Sequence, residues 1–372
     1  MRGLQAICVT GGAGFIGSNF IRHLFLQPDF NGIVVNVDRL TYSGNIMNIS
    51  DISKEYSQKR YFFAQADIRD EEEISRIFDR YAVDTIVHFA AESHVDRSIV
   101  GPKAFIETNV NGTFVLLETA RRCWKDRTDV LFHHISTDEV YGTLGAVGLF
   151  SESSPYNPQS PYAASKAGSD HLARAYCHTF GLPVTISNAS NNYGPYQYPE
   201  KLFPLMITNM MEGKPLPIYG DGKNIRDWLY VEDHCAALWE ILRKGKTGES
   251  YNVGGGSEME NIQLVTLLCE TVAEVRGVPA ELYTRLISFV RDRPGHDRRY
   301  GLDCSKIRSE IGWAPSTELH AGIRKTVDWY LRNPDWVEHV RDNKFSDWID
   351  LNYNRASSRE SDATFEQGRA RE

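Results

Sequence analysis

The chain of 372 residues reads as an α/β protein: a doubly wound parallel sheet with a smaller, interleaved C-terminal lobe. Three observations predict this. Short apolar runs alternate with helical patterns through the first half. A glycine-rich turn joins the first run to the first helical pattern. From about Asn191 onward the prolines Pro195, Pro199, Pro204, Pro215 and Pro217 break the regular alternation.

Ala6–Thr10, Ile33–Asp38, Tyr61–Gln65, Thr85–Phe89 and Val130–Ser136 read as buried strands. Gly14–Leu26, Glu71–Tyr81 and Ala104–Trp124 carry apolar residues at helical spacing between them. A long helix starts near Pro161 and runs to Phe180, where Gly181 and Pro183 stop it. Val184–Ser187 reads as a further strand. Asp227–Val231 and Tyr251–Val253 read as a return to the main sheet, which interleaves the two lobes. The division expected is 1–190 for the sheet domain, with a return at about 225–260, and 191–352 mainly for the second lobe. Residues 353–372 are polar and charged and read as a disordered tail.

At the end of the first strand stands Thr10-Gly11-Gly12-Ala13-Gly14-Phe15-Ile16-Gly17. Gly11 suits a tight turn, Gly14 lets a pyrophosphate approach the backbone, and Gly17 lets the helix sit close to the strand. The helix N-terminus then faces the phosphates. The second strand ends at Asp38, 21 residues after Gly17. A carboxylate there accepts from ribose hydroxyls and repels a 2′-phosphate, so the pattern predicts a Rossmann-type NAD site rather than an NADP site. Asp67 and Ile68, after the third strand, are placed to flank the adenine, and Asp67 equally suits a helix N-cap.

Composition narrows the classes. A formal net charge of −8 gives nucleic-acid binding no overall electrostatic support. No apolar run approaches a membrane span and the first residues lead straight into a strand, so a cytoplasmic protein is expected. The six cysteines are scattered without a CxxC pair and read as reduced thiols, and no metal site is expected.

Two phrases carry chemistry: Ser136-Thr137-Asp138-Glu139-Val140-Tyr141-Gly142 and Tyr162-Ala163-Ala164-Ser165-Lys166. Tyr162 and Lys166 share a helix face, where an ammonium lowers the pKa of a phenol and makes it a usable base. Alone, such a pair is as well read as a surface Tyr and a solvated Lys. The Asp138-Glu139 pair adds two proton-transfer groups at the sheet's C-terminal edge, where α/β sites form; an arbitrary Asp-Glu pair would be an exposed strand end.

With these phrases stand Ala90-Ala91-Glu92-Ser93-His94-Val95-Asp96-Arg97-Ser98, Ser190-Asn191-Asn192-Tyr193-Gly194-Pro195 and Tyr198-Pro199-Glu200-Lys201. Further on come Ile225-Arg226-Asp227-Trp228-Leu229-Tyr230-Val231-Glu232-Asp233 and Asp292-Arg293-Pro294-Gly295-His296-Asp297. Over about residues 5–350 the chain resembles the nucleotide-sugar 4,6-dehydratases among the extended short-chain dehydrogenases/reductases.

The resemblance implies a three-stage reaction on one bound NAD with dTDP-glucose as substrate, the first committed step to deoxysugars such as rhamnose. Tyr162 takes the 4-hydroxyl proton as hydride leaves C4, Lys166 holds the ribose, and Thr137 bonds the 4-hydroxyl. Glu139 removes the C5 proton, Asp138 protonates the departing C6 hydroxyl, and hydride returns to C6. The cofactor contacts implied are Gly11, Gly14, Phe15, Ile16, Gly17, Asp38, Leu40, Thr41, Gly44, Asp67, Ile68, Ala90, Ala91, Thr108, Tyr162, Lys166 and Asn192. Ser93, Thr137 and Asn191 would meet the sugar, with Glu200, Lys201 and Leu202 by the nucleotide. Pro217, Ile218 and Tyr219 would pack on the base and Arg226 would meet the diphosphate, unless it pairs with Asp227. Asn261, Asp292, Arg293 and His296 would close the pocket, while His94 is structural. The loop 143–156 is shorter than expected for such proteins, and a homodimer through Ala104–Trp124 and Pro161–Phe180 is implied. A UDP-glucose 4,6-dehydratase, a 4-epimerase or decarboxylase on the same scaffold, and a non-catalytic dinucleotide sensor remain as alternatives. The first differs in the base, the second has no need of Asp138-Glu139, and the third has no need of Tyr162 and Lys166.

Overall fold

The computed structural model describes residues 4–125 and 127–341; the expected tail at 353–372 lies outside the described residues. In chain order the strands are β1 (Ala6–Thr10), β2 (Ile33–Asp38), β3 (Tyr61–Gln65), β4 (Thr85–His88), β5 (Leu131–Thr137) and β6 (Val184–Ala189). They continue as β7 (Asn191–Tyr193), β8 (Leu216–Tyr219), β9 (Ile225–Tyr230), β10 (Ser250–Val253), β11 (Glu258–Glu260) and β12 (Ile287–Val290).

Seven of them form one parallel sheet in the order β10-β6-β5-β4-β1-β2-β3. β1, β4, β5, β6 and β10 are buried along their whole length, as strands covered on both faces must be. One apolar layer joins helices Glu71–Tyr81, Thr113–Trp124 and Pro161–Phe180 to the sheet through Ile74, Phe78, Leu116, Trp124 and Ala173. A second layer holds Phe20 and Leu24 of helix Phe15–Leu26 and Val231 and Leu238 of helix Val231–Lys244. The sequence order reverses between β1 and β4, so the cleft opens at the C-terminal ends of the strands there.

The second lobe has its own core, around Phe203, Trp228, Leu264, Leu268, Ile323 and Tyr330. Its small sheets are β11-β9-β7 and β12-β8. The expected return is half right. β10 joins the main sheet beside β6, whereas β9 pairs with β7 and β11 in the second lobe. The helix that follows β9 carries the chain back to the main sheet. Apolar character marks a buried strand, but it does not say which sheet buries it.

The expected helix over Ala104–Trp124 is not continuous. Pro102–Phe105 is α-helical, Ile106–Gly112 is π-helical, and Thr113–Trp124 is α-helical again. Asn109 in the π segment accepts from the backbone N–H of Glu92 and donates to its carbonyl, both at 2.9 Å, and donates to Ser165 Oγ at 2.8 Å. It thereby ties the loop after β4 to the helix that bears Tyr162. Among the described residues no helix is long and apolar enough to cross a membrane. No group of three or more His, Cys, Asp or Glu side chains among them is set to hold a metal ion.

Candidate active site

The glycine turn at the end of β1 forms one side of the cleft. Gly11 has φ +71°, and a Cβ there would stand 2.7 Å from the Ala90 nitrogen. A Cβ on Gly17 would stand 2.4 Å from the Gly11 carbonyl oxygen. Both positions exclude any larger residue and leave a bare backbone cradle at the helix N-terminus. Asp38 closes the far end. Its carboxylate accepts from Ala13 N at 2.9 Å and Leu40 N at 2.8 Å, which leaves lone pairs for further donors. Burial pushes the Asp38 carboxyl up and those two N–H groups pull it back. A cradle of this shape fits a dinucleotide.

Asp67 is not the cap of the next helix; Asp70 is, accepting from Glu73 N at 3.0 Å. Asp67 instead pairs with Arg69 at 2.8 Å and Arg39 at 3.3 Å on the rim. Leu40 adopts φ +57° and does not line the cleft. The other expected cofactor residues do line it: Phe15, Ile16, Thr41, Gly44, Ile68, Ala90, Ala91, Thr108 and Asn192, with the glycines, Asp38, Asp67, Tyr162 and Lys166.

The cleft floor comes from the end of β5 and the N-terminal half of helix Pro161–Phe180. Thr137 ends the strand and caps the short turn Asp138–Tyr141, its Oγ1 accepting from Glu139 N at 3.3 Å. Ser160 caps the helix by accepting from Ala163 N at 3.1 Å, and Pro161 sits at its first position. Tyr162 and Lys166 face the cleft together with Thr137, Asp138 and Glu139. Lys166 Nζ donates to the Ile135 carbonyl at 2.7 Å and keeps two further donors.

The two carboxyls differ in surroundings. Asp138 is 1% exposed. Burial, then Glu139 and Asp227, hold its carboxyl well above the usual range. Glu139 is also raised by burial, but Arg293, Lys201 and Arg226 act against that push. Both carboxyls are thus raised, Asp138 the more strongly: carboxylates outweigh Arg226 around Asp138, whereas cations outweigh Asp297 around Glu139. Asp138 Oδ2 and Asn191 Oδ1 are buried at the cleft without a protein partner among the described residues.

One expectation needs correction. The Tyr162 phenol is pushed up, by burial first and then by Glu139, with the Thr137 hydroxyl acting against it. Spacing places Lys166 on the same helix face, while burial and the neighbouring Glu139 carboxylate are what set the phenol high.

The outer substrate residues divide. Ser93, Asn191, Glu200 and Lys201 line the cleft, with Lys201 Nζ donating to the Ser93 carbonyl at 2.9 Å. Leu202, Pro217, Ile218, Tyr219, Arg226, Asn261, Asp292, Arg293 and His296 do not line it. Several of these form a polar wall beside the cleft, near enough for Arg226 and Arg293 to act on Glu139. Asp96 accepts from the Tyr219 hydroxyl and from Arg293 Nη1, both at 3.1 Å. His296 Nδ1 lies 2.6 Å from Asp292 Oδ1, and burial and Arg293 push that imidazole down to about 4. Arg226 does not pair with Asp227; it donates to the Asp297 carbonyl at 2.8 Å and lies over the Tyr300 ring at 4.3 Å. His94 is 5% exposed and burial keeps it neutral. Glu92, Gln197, Tyr198 and His234 line the cleft unforeseen. Tyr198 stands inside a phrase the sequence already marked, whereas His234, 2.8 Å from Asn192 Oδ1, comes from the helix after β9 and stands in none of the marked phrases.

The family model for GDP-mannose 4,6 dehydratase matches residues 8–326. The chain belongs to that family. Within it, the chain is 52% identical to a dTDP-glucose 4,6-dehydratase of Salmonella typhimurium, over 93% of this chain and 98% of the relative. The dTDP-glucose 4,6-dehydratase DesIV of Streptomyces venezuelae, solved with NAD bound, superposes with a TM-score of 0.82 at 45% identity, covering 90% of this chain and 99% of that one. A UDP-glucose 4-epimerase of Thermotoga maritima, solved with UDP-glucose, shares the architecture at TM-score 0.78 and 30% identity, covering 88% and 99%. The family's scaffold therefore serves more than one reaction, and the side chains of the floor decide between them.

Proposed function

We propose that this protein dehydrates dTDP-glucose to dTDP-4-keto-6-deoxyglucose with NAD as its resident cofactor. The observation that carries the reading is the unequal setting of Asp138 and Glu139 on the cleft floor beside Tyr162 and Lys166. Pairs of carboxyls whose environments push them apart mark acid and base roles. Asp138, held protonated among carboxylates, is the acid that meets the departing C6 hydroxyl and releases it as water. Glu139, faced by cations, is the base that takes the C5 proton and later returns it.

The glycine cradle, Asp38 and Lys166 would hold NAD, which when bound supplies a hydride acceptor regenerated within each turnover. Tyr162 takes the proton of the C4 hydroxyl, and Thr137 orients that hydroxyl. The Lys166 ammonium and the positive ring of the bound cofactor are the charges available to bring the phenol into its working range. Asn191 and Ser93 meet the sugar, Lys201 the nucleotide, and the wall of Tyr219, Arg226, Arg293 and His296 the diphosphate and base. The cofactor contacts thus come mainly from before Asn191, the reacting sugar is met by Thr137, Asp138, Glu139 and Tyr162, and the segments after Asn191 serve mainly the rest of the substrate.

Turnover of dTDP-glucose and UDP-glucose side by side tests this, with product mass and sugar configuration as readouts. Loss of one water from dTDP-glucose supports the reading. A galactose-configured product of unchanged mass would make the protein an epimerase, and preference for UDP-glucose would move the base specificity. We further place the protein in the cytoplasm as a homodimer through the segments 104–124 and 161–180, the first of which exposes Ile106 and Phe114 by 52% and 41%. Light scattering of Phe114→Glu, expected as monomer, checks the contact.

A further inference from the structure

The helix that carries Tyr162 and Lys166 continues the same face to Asp170, one turn further on. Asp170 is fully buried, as is His134 of β5, whose Nε2 stands 3.1 Å from Asp170 Oδ1. Ser136 Oγ donates to Asp170 Oδ2 at 2.7 Å and the Tyr156 hydroxyl donates to the same oxygen at 2.8 Å. Arg174 in turn donates to Tyr156 at 2.9 Å. Three side chains, two from β5 and one from the loop after it, therefore face a carboxylate that touches neither cleft nor solvent. Burying a carboxylate is costly, and a structural fastening of strand to helix could be made with neutral groups.

We propose that Asp170 is a positioning residue for Lys166, a fixed counter-charge that keeps the ammonium charged where it must hold the cofactor. The inference rests on the assignment of Lys166 to the NAD site. Lys166 is 5% exposed. Burial pushes its ammonium down to about 8, and Asp170 is the group that holds it up. The other ionisable groups facing Lys166 do not replace that charge. Tyr162 is neutral, His88 on β4 is fully buried and kept neutral, and His134 is pushed down to about 4 by burial and by Lys166 itself. Burial opposes ionisation of Asp170, but the His134 and Ser136 donors and the Lys166 charge hold its carboxyl below the usual range. Tyr156 and Tyr141 also face the carboxylate, and burial pushes both phenols up, so both stay neutral; the Arg174 guanidinium bonds Tyr156.

The test is the pH dependence of NAD affinity, read by calorimetry on cofactor-stripped protein without any sugar nucleotide. In the unmodified protein affinity should fall as pH rises through about 8, where the Lys166 ammonium loses its proton. Asp170→Asn should leave affinity at pH 6 nearly unchanged and weaken it roughly fivefold at pH 8, because a one-unit shift of the midpoint changes the charged fraction by that much. Asp170→Glu should restore the original midpoint. In a Lys166→Arg background, Asp170→Asn should produce no pH-dependent change, since a guanidinium stays charged. Where Asp170→Asn does not fold, Asp170→Ser carries the same expectation. An unchanged midpoint, or a loss uniform from pH 6 to pH 9, overturns the proposal and leaves Asp170 a fastening. Failure of the unmodified protein to bind NAD at any pH overturns the functional reading itself.

Discussion

Thr137, Asp138, Glu139, Tyr162 and Lys166 come from two short segments, each held at the end of a buried element. The wall of Asp96, Tyr219, Arg226, Arg293 and His296 is assembled from distant loops and strands; Asp96 and Arg293 stand 197 positions apart. On the floor, secondary structure sets the geometry, since the last residue of a strand and one turn of a helix have fixed directions. On the wall, ion pairs and hydrogen bonds between lobes set it. Damage to the floor should abolish steps, whereas damage to the wall should weaken binding and move pH limbs.

The largest effect is expected at Tyr162. Tyr162→Phe removes the group that takes the C4 proton and should lower turnover of dTDP-glucose by about 10²–10⁴-fold, with NAD affinity kept. Turnover near the unmodified rate would take Tyr162 out of the floor's chemistry. Next come the carboxyls. Glu139→Gln should let bound NADH accumulate in stopped-flow absorbance while exchange of C5–H with solvent deuterium falls sharply. Asp138→Asn should slow water loss and spare that exchange more. If both variants made product at the unmodified rate, the contrast between the two residues would carry no mechanism.

The wall should respond differently. Arg293→Met removes the cation that acts most strongly against the upward push on Glu139. The Glu139 carboxyl should rise further, so the acid limb of the kcat profile moves to higher pH, and KM should rise about tenfold with loss of a charge-assisted contact. A fall in kcat at every pH without a shift of the limb would place Arg293 on the floor instead. The smallest effect is expected at Asp38. Asp38→Ala should narrow the preference for NAD over NADP, and it leaves the Ala13 and Leu40 N–H groups unmet at a cost of about 1–3 kcal/mol in a denaturant titration.

The same contrast explains what the sequence disclosed. β1, β2, β3 and helices Glu71–Tyr81 and Pro161–Phe180 have the bounds that periodicity and caps predict, and the catalytic phrases meet because their spacing is local. Asp170 could have been found on the same grounds, since Tyr162, Lys166 and Asp170 recur at every fourth position of one helix. The placement of β9 could not, because pairing with β7 and β11 is a choice between two buried sheets. Nor could the elevated phenol, since desolvation depends on what the fold packs around Tyr162 and not on its neighbours in sequence.

The π segment Ile106–Gly112 has a consequence for phase. A single π turn is an α-helix carrying one surplus residue. Excising one residue from 106–112 should heal the helix and improve its hydrogen bonding. It would also rotate the upstream turn by roughly 100° relative to the downstream one. Thr108 would swing away from the cofactor cleft, and Asn109 would lose the Glu92 backbone that it clasps from both sides. A one-residue deletion there should therefore yield a protein at least as resistant to heat at that helix and poorer at holding NAD, which marks the irregularity as an alignment device rather than a flaw.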